Sequence, residues 1–547
     1  MNFIENESPT KLRGGYYTDA SLAQFLTRWV FEIKPRRILE PGCGDGVFFE
    51  AMGKVHNERL EYVLGFEIEP GEAAKARKRA STFLETVPDI RTRDFLSWAL
   101  IKFASGERFD GVLGNPPYIR YQYLDEDLQN IAEAIFRYHS LPFTKHTNAW
   151  VSFVVASIAL LSPGGRLGMV LPSELLHVLH AQSLRNFLAR ECERILVIDP
   201  NELWFEDALQ GAIILLAEKK TSREIGCKGL GIVQTRSKRF LDLDPSEIFY
   251  SVEYLNGETI AGKWLIALLS KKEREVLSDI KHRNNVYRFD SLAEVDVGIV
   301  TGANKFFLVS DEVVDKFGLK KWAYPMFGRS EHVAGVIYSR ASHANNRQKG
   351  LPTNFIWFGD ESINKLPKKV RAYIESGEQE SLHTRYKCRV RNPWYSVPSV
   401  YFAPVGMLKR AHDFPRLILN RAKAFTTDTA YRIRPTTVSD EKLVYSFLNS
   451  LTALTAELEG RHYGGGVLEL VPSEIERLLV PVARMEKGDL ARLDDCLKSG
   501  ASAEDLLAMQ DKKILKTLGL TSMEIDIVFS AWNRLRHRRQ RSTEETF

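Results

Sequence analysis

Residues 36–52 read Arg-Arg-Ile-Leu-Glu-Pro-Gly-Cys-Gly-Asp-Gly-Val-Phe-Phe-Glu-Ala-Met, and no other stretch of the 547-residue chain restricts the fold as much. A short apolar strand at Ile38 and Leu39 runs into a loop with glycines at 42, 44 and 46, and a helical pattern begins near Val47. Glycine takes positive φ and lets a backbone pass close to a ligand. A strand, a glycine-rich loop and a helix N-terminus form the nucleotide-binding corner of a doubly wound sheet. The spacing is G-x-G-x-G, not G-x-G-x-x-G, and there is no G-K-[ST], which argues against a dinucleotide fingerprint and a P-loop. Taken alone, such a loop also suits a plain turn.

Two segments downstream sharpen the reading. Residues 62–66 predict a second strand ending in Glu67-Ile68-Glu69-Pro70. An acidic residue about 20 positions beyond the glycine loop is placed to bind ribose hydroxyls. Glu67, at the strand's end, is the candidate, while Glu69 before Pro70 reads as a helix-start carboxylate. Arg93-Asp94-Phe95 then closes a third strand. An Asp there can accept from an adenine amino group, and the adjacent Phe can stack on the ring.

The strongest chemical signal is Val-Leu-Gly-Asn-Pro-Pro-Tyr at 112–118, after an apolar run from 109 to 113. Each proline fixes its own φ and pushes the preceding residue out of the α region. Asn115 and Pro116 should therefore be extended, with the Asn side-chain oxygen and the Pro116 carbonyl held toward a pocket. An exocyclic amine entering it finds two acceptors, and Tyr118 offers a flat face for a base. That suits a planar amino group held for attack on an electrophilic methyl. Alone, the tetrapeptide also fits a tight turn with a surface tyrosine; its position after the glycine loop favours the pocket.

In this order, residues 38–46, 67–70, 94–95 and 115–118 resemble the S-adenosylmethionine-dependent N6-adenine DNA methyltransferases of the gamma class, of restriction–modification type. Gly14-Gly15-Tyr16-Tyr17-Thr18-Asp19 and the apolar helix after it are similar to the segment that closes over the methionine part of the cofactor there. The resemblance implies a Rossmann-like α/β domain with a mostly parallel seven-stranded sheet, a mixed α+β target-recognition domain and a helical C-terminal segment. It implies cofactor contacts from Tyr17, Thr18, Glu40, Pro41, Gly42, Gly44, Gly46, Glu67, Ile68, Asp94, Phe95 and Asn115. It places catalysis on Asn115, Pro116, Pro117 and Tyr118, with Phe205 sandwiching the extruded base and Trp204 competing for that role.

Further strands are expected at 166–171, 194–198 and 211–217, with a helix over 148–161 and another opened by Pro172-Ser173-Glu174; the resemblance implies that the last two strands form an antiparallel hairpin at the sheet edge. This alternation gives a sheet covered on both faces. The expected domains are 1–220 (catalytic), 221–294 (linker), 295–484 (target recognition) and 485–547 (helical, basic). Val297-Gly298-Ile299-Val300-Thr301-Gly302 looks like the opening of the recognition domain, and Arg461-His462-Tyr463-Gly464-Gly465-Gly466 resembles its closing segment. Basic–aromatic clusters at 385–389, 391–395 and 420–423 either face DNA or form solvated surface. Arg534, Arg536, Arg538, Arg539 and Arg541 form either a DNA-touching appendage or a solvated tail.

A net charge of +5 is compatible with a polyanionic partner without requiring one. Five well-separated cysteines, with no C-x-x-C pair, indicate neither a zinc site nor a disulfide framework. No signal peptide and no 18-residue apolar run appear, so a cytoplasmic protein without a membrane partner is expected. The remaining expectations are duplex DNA as substrate, a monomeric state and a separate cognate restriction endonuclease, since no Pro-Asp…Glu-x-Lys set reads in the C-terminal half. RNA adenine or protein glutamine methylation, which use the same motif, are the rival readings. The long basic and aromatic C-terminal half argues against glutamine as the acceptor, and the motif order against RNA.

Overall fold

In the computed structural model, which describes residues 17–200, 211–235 and 237–540, Asp19 accepts hydrogen bonds from Ser21 N (2.9 Å) and Leu22 N (3.4 Å). This cap satisfies donors that the first turn leaves open and starts helix α1, Ala20–Phe31. Leu22, Phe25, Leu26 and Trp29 repeat at helical spacing and are buried. Trp29 Nε1 donates to Leu167 O at 3.1 Å, and the Arg166 guanidinium lies 3.9 Å from the Trp29 ring centre.

The chain divides into two compact units between Ser270 and Lys271. The first is a sheet with helices on both faces. Its strands are β1 Arg37–Glu40, β2 Tyr62–Glu67, β3 Asp89–Thr92, β4 Phe109–Gly114, β5 Leu161–Pro172, β6 Cys192–Pro200, β7 Ala212–Lys219 and β8 Gly229–Thr235, in the order β3-β2-β1-β4-β5-β7-β6-β8. β7 runs antiparallel to β5 and β6; every other pairing is parallel. The intervening helices include α2 Val47–Val55, α3 Pro70–Phe83, α4 Phe95–Lys102, α5 Glu126–Tyr138, α6 Ala149–Leu160 and α7 Gln182–Glu191. β1 leads toward β2 and β3 on one side and β4 toward β5 on the other. Their C-terminal ends thus form the topological switch point, where open α/β sheets bind ligands.

Three expectations are revised. The sheet has eight strands, because Gly229–Thr235, within the expected linker, pairs in parallel with β6. The free edge of β6 would otherwise leave a row of backbone groups unpaired. Residues 221–270 thus belong to the first unit; Leu230 exchanges both backbone hydrogen bonds with Leu255, and Phe249 packs 4.2 Å from Trp29 between ring centres. Second, β6 and β7 pair antiparallel as expected, but the pair does not form the sheet edge, since β8 pairs with the other side of β6. Third, Ser173 caps no α-helix: Ser173–Leu176 is a 3-10 turn, and α7 begins only at Gln182.

The second unit contains a five-stranded sheet of β9 Ala293–Val297, β10 Ile337–Tyr338, β11 Val405–Leu408, β12 Leu417–Asn420 and β13 Ala430–Pro435, in the order β9-β13-β11-β12-β10. An aromatic core that includes Phe307, Phe355 and Tyr373 fills out a further lobe of this unit. The arginine-rich C-terminal helix, Ser522–Gln540, is neither solvated tail nor appendage over its described length. Arg536, Arg538 and Arg539 are buried. Arg539 and Glu457 pair with 0% side-chain exposure on each, and Arg536 pairs with Glu504. Arg534 Nη2 lies 2.6 Å from Glu273 Oε2, so the basic run ties the unit's own segments together. Among the described residues, no helix is long and apolar enough to cross a membrane.

Candidate active site

At the switch point the two sequence motifs touch. A Cβ placed on Gly114 would lie 3.4 Å from Pro41 Cδ, and one on Gly42 would lie 4.0 Å from Pro117 Cδ. The glycine loop therefore packs on the Asn-Pro-Pro-Tyr turn. Gly46 has φ +89°, and a Cβ there would strike Ala76 Cα at 2.8 Å, so only glycine fits. Above Gly44 (φ +49°) nothing lies within 4 Å of such a Cβ, which leaves room for a ligand against the backbone.

The Glu67 carboxylate is fixed from both sides: Gly44 N donates to Oε2 and Glu69 N to Oε1, each at 2.9 Å. A carboxylate has about four lone-pair sites, so it retains capacity for hydroxyl donors. Ile68, next to it, is 59% exposed, an apolar surface presented beside the loop. Glu40 is the sharpest anomaly. It is 0% exposed, and neither carboxylate oxygen has a hydrogen-bond partner. Burial, reinforced by Asp45 and Glu67, holds its carboxyl well above the ordinary value. Burial without a partner favours the neutral acid, and a cation brought close by a ligand would favour the carboxylate instead. Cys43, 3% exposed, fills space near Gly65, and burial pushes its thiol up.

Asn115 lies at the end of β4, half-buried. Its Nδ2 donates to Thr18 Oγ1 at 3.2 Å, which turns the amide so that its oxygen lies on the other side. Tyr17, beside Thr18, is 57% exposed. The backbone beyond Tyr118 is pinned where Ala149 N, at the start of α6, donates to Ile119 O at 2.9 Å.

Asp94 caps α4, its Oδ1 accepting from Ser97 N and Ser97 Oγ, both at 2.6 Å, while one expected contact differs from the sequence reading. Phe95 is 1% exposed and packs against Phe66 (5.5 Å) and Phe153 (5.4 Å) between ring centres, so its ring belongs to the core instead of stacking on a ligand. Phe205 and Trp204 lie outside the described residues. Beyond β5, the buried Glu174 accepts through Oε2 from Asn148 Nδ2 at 3.1 Å.

Two family models match the chain. Residues 53–204 match the Eco57I restriction-modification methylase and residues 261–515 match the C-terminal domain of Type II methyltransferase M.Eco57I. The chain belongs to the restriction–modification DNA methyltransferases. Among relatives of this family, Type II methyltransferase M.AccI of Acinetobacter calcoaceticus is 25% identical over 480 residues, 84% of each chain. M.XamI of Xanthomonas campestris pv. amaranthicola is 22% identical over 483 residues, 86% of this chain and 85% of that one. A solved DrdV–DNA complex shares the fold with a TM-score of 0.50 at 11% identity, covering 91% of this chain and 58% of that one. The methyl donor of such an enzyme is S-adenosylmethionine, whose cationic methionine end matches the orphaned carboxyl of Glu40.

Proposed function

We propose that the chain is an adenine-specific DNA methyltransferase that methylates N6 of a base rotated out of duplex DNA, as the modification enzyme of a restriction–modification system. The observation that carries this is the Thr18–Asn115 hydrogen bond at the end of β4, because it presents the amide as an acceptor instead of a donor. Asn115 Oδ1 and the Pro116 carbonyl accept from the two N6 hydrogens. This draws the nitrogen lone pair out of conjugation and toward the methyl. Tyr118, with Phe205 as the second wall, stacks on the base, each contact contributing on the order of 1–3 kcal/mol against an unstacking cost of a few kcal/mol.

Glu67 accepts from the ribose hydroxyls, Ile68 covers the adenine of the cofactor, and Glu40 balances its positive methionine end; Tyr17, Pro41 and glycines 42, 44 and 46 line the remainder. Asp94 Oδ2, left by the cap, faces the task of accepting from the cofactor's amino group, with no stacking from Phe95. The bound cofactor supplies an electrophilic methyl. Positioning and fixed dipoles then carry most of the rate. Residues 271–540 hold the groups that recognise the target, the chain acts as a monomer in the cytoplasm, and a separate endonuclease cuts the same unmethylated site.

Asn115→Ala tests the assignment. Methyl incorporation into DNA should fall about 10²- to 10³-fold, as for loss of one aimed polar contact, while calorimetric cofactor affinity stays near wild type. Thr18→Val should lower the rate by a smaller factor and Thr18→Ser restore it. Asn115→Ala retaining more than a tenth of the activity would overturn the role, and methylation of cytosine in sequenced DNA would overturn the base.

A further inference from the structure

The arginines that look most like a nucleic-acid contact in the sequence are internal, so the question is where the second unit keeps unneutralised positive charge. Among the exposed cations of this unit, those at residues 385–389 and Lys423 lie beside exposed aromatic rings. Arg385, Lys387, Arg389 and Lys423 are all exposed, and none makes an ion pair among the described residues. Arg421, close by in sequence, does pair, with Glu441.

These cations accompany exposed apolar side chains. Tyr386 is 65% exposed, with Lys387 Nζ at 5.4 Å and the Arg389 guanidinium at 5.6 Å from its ring centre. Phe402 is 45% exposed, with Lys423 Nζ 6.0 Å from its ring centre. Val390, beside this cluster, is 67% exposed.

The segments form one surface because residues 297–302 tie them together. Arg391 donates to Val300 O (2.6 Å) and Thr301 O (2.7 Å), and Cys388, buried under Tyr386–Arg389, lies against Thr301 O. A Cβ on Gly302 would meet Lys387 Cβ at 2.8 Å, so the loop lies directly on that turn. At the other end, Arg432 donates to Val297 O (2.7 Å) and Ser399 O (2.8 Å), joining residues 399–402 to the same loop. The anchors are buried or bonded, whereas Tyr386, Phe402 and the four cations project.

We propose that this face, built by residues 297–302, 385–391 and 399–402 with Lys423, is where the second unit meets duplex DNA. Lys387, Arg389 and Lys423 neutralise phosphates, while Tyr386 and Phe402 press on bases and sugars and contribute to site preference. Charge complementarity selects a polyanion, and the exposed rings add the contact that a purely electrostatic patch lacks. This rests on the reading of the enzyme as one that acts on DNA.

The test uses the full chain in anisotropy titrations over a range of salt, on a duplex of arbitrary sequence and on one bearing the motif that wild type methylates in expressing cells. Each phosphate contact contributes a slope of about 0.9 in log affinity against log salt, so replacing Lys387, Arg389 and Lys423 by Gln should reduce the slope by about 2.7 on either duplex. Tyr386→Ala and Phe402→Ala should each reduce preference for the motif about tenfold without changing the slope. All five side chains are exposed, so thermal midpoints should match wild type. An unchanged slope in the triple variant overturns the face, as does a loss confined to an RNA duplex probe. If wild type methylates no DNA, the proposed function fails, and the slope on the arbitrary duplex still decides the face.

Discussion

Glu40→Gln tests whether the buried carboxyl is built to meet a cation. Gln keeps the shape and removes the charge, and since neither Glu40 oxygen has a protein hydrogen-bond partner, no intramolecular bond is broken. Burial, then Asp45 and Glu67, raise the carboxyl above its ordinary 4.5. The folded apo protein thus holds this proton more tightly than the unfolded chain. Stability from this group is therefore fullest at acid pH and falls as pH rises from about 4.5 to the raised folded value, by about 1.4 kcal/mol for each unit between them. The variant lacks that loss. It should match wild type near pH 4 and exceed it at neutral pH by about 1.4 kcal/mol per unit of the shift. Cofactor binding moves the other way. A cationic partner favours the carboxylate, so binding to wild type releases a proton below the raised value, and Kd should tighten up to about tenfold per unit as pH rises. Losing a charge-assisted contact of about 1.5–3 kcal/mol should weaken binding roughly 10- to 150-fold and flatten the pH dependence. Calorimetric titration in buffers of different ionisation enthalpy reads the proton release, and chemical denaturation reads stability. A variant less stable than wild type at neutral pH, with unchanged cofactor affinity, would refute the reasoning.

Tyr118→Phe should leave base binding and turnover near wild type, whereas Tyr118→Ala should lose about 1–3 kcal/mol of stacking, seen as weaker 2-aminopurine brightening at the target position; equal loss in both would assign the effect to the hydroxyl. Glu457→Ala strands the fully buried Arg539 and should destabilise the second unit by about 3–5 kcal/mol in thermal or denaturant unfolding, with cofactor affinity unchanged. Residues 1–270 expressed alone should bind cofactor and lose preference for the cognate duplex at matched salt, because discrimination needs several base-edge contacts of about 1–3 kcal/mol each.

Much of the catalytic unit is local and therefore legible in the sequence. The glycines at 42, 44 and 46, the acid at the end of β2 and the prolines after Asn115 act through their own φ, their own lack of a side chain or donor, and their neighbours in the chain. Spacing alone thus fixed the strand–loop–helix corner, the candidate ribose-binding Glu67 and the turn that carries Asn115. Tertiary structure decided whatever depends on a partner distant in sequence. Thr18 orients Asn115 across 97 positions. β7 enters between β5 and β6, and β8 closes an edge within a stretch that reads as linker. Phe95 joins the core because Phe66 and Phe153 surround it. The two arginine runs show the limit most clearly. By composition, residues 534–541 and 385–389 are equally basic, and neither propensity nor periodicity separates them. Only the fold brings Glu457 and Glu504 to the first and leaves the second without an ion pair among the described residues. The energy of a charge is set by what surrounds it, and the sequence specifies those surroundings only through the folded chain.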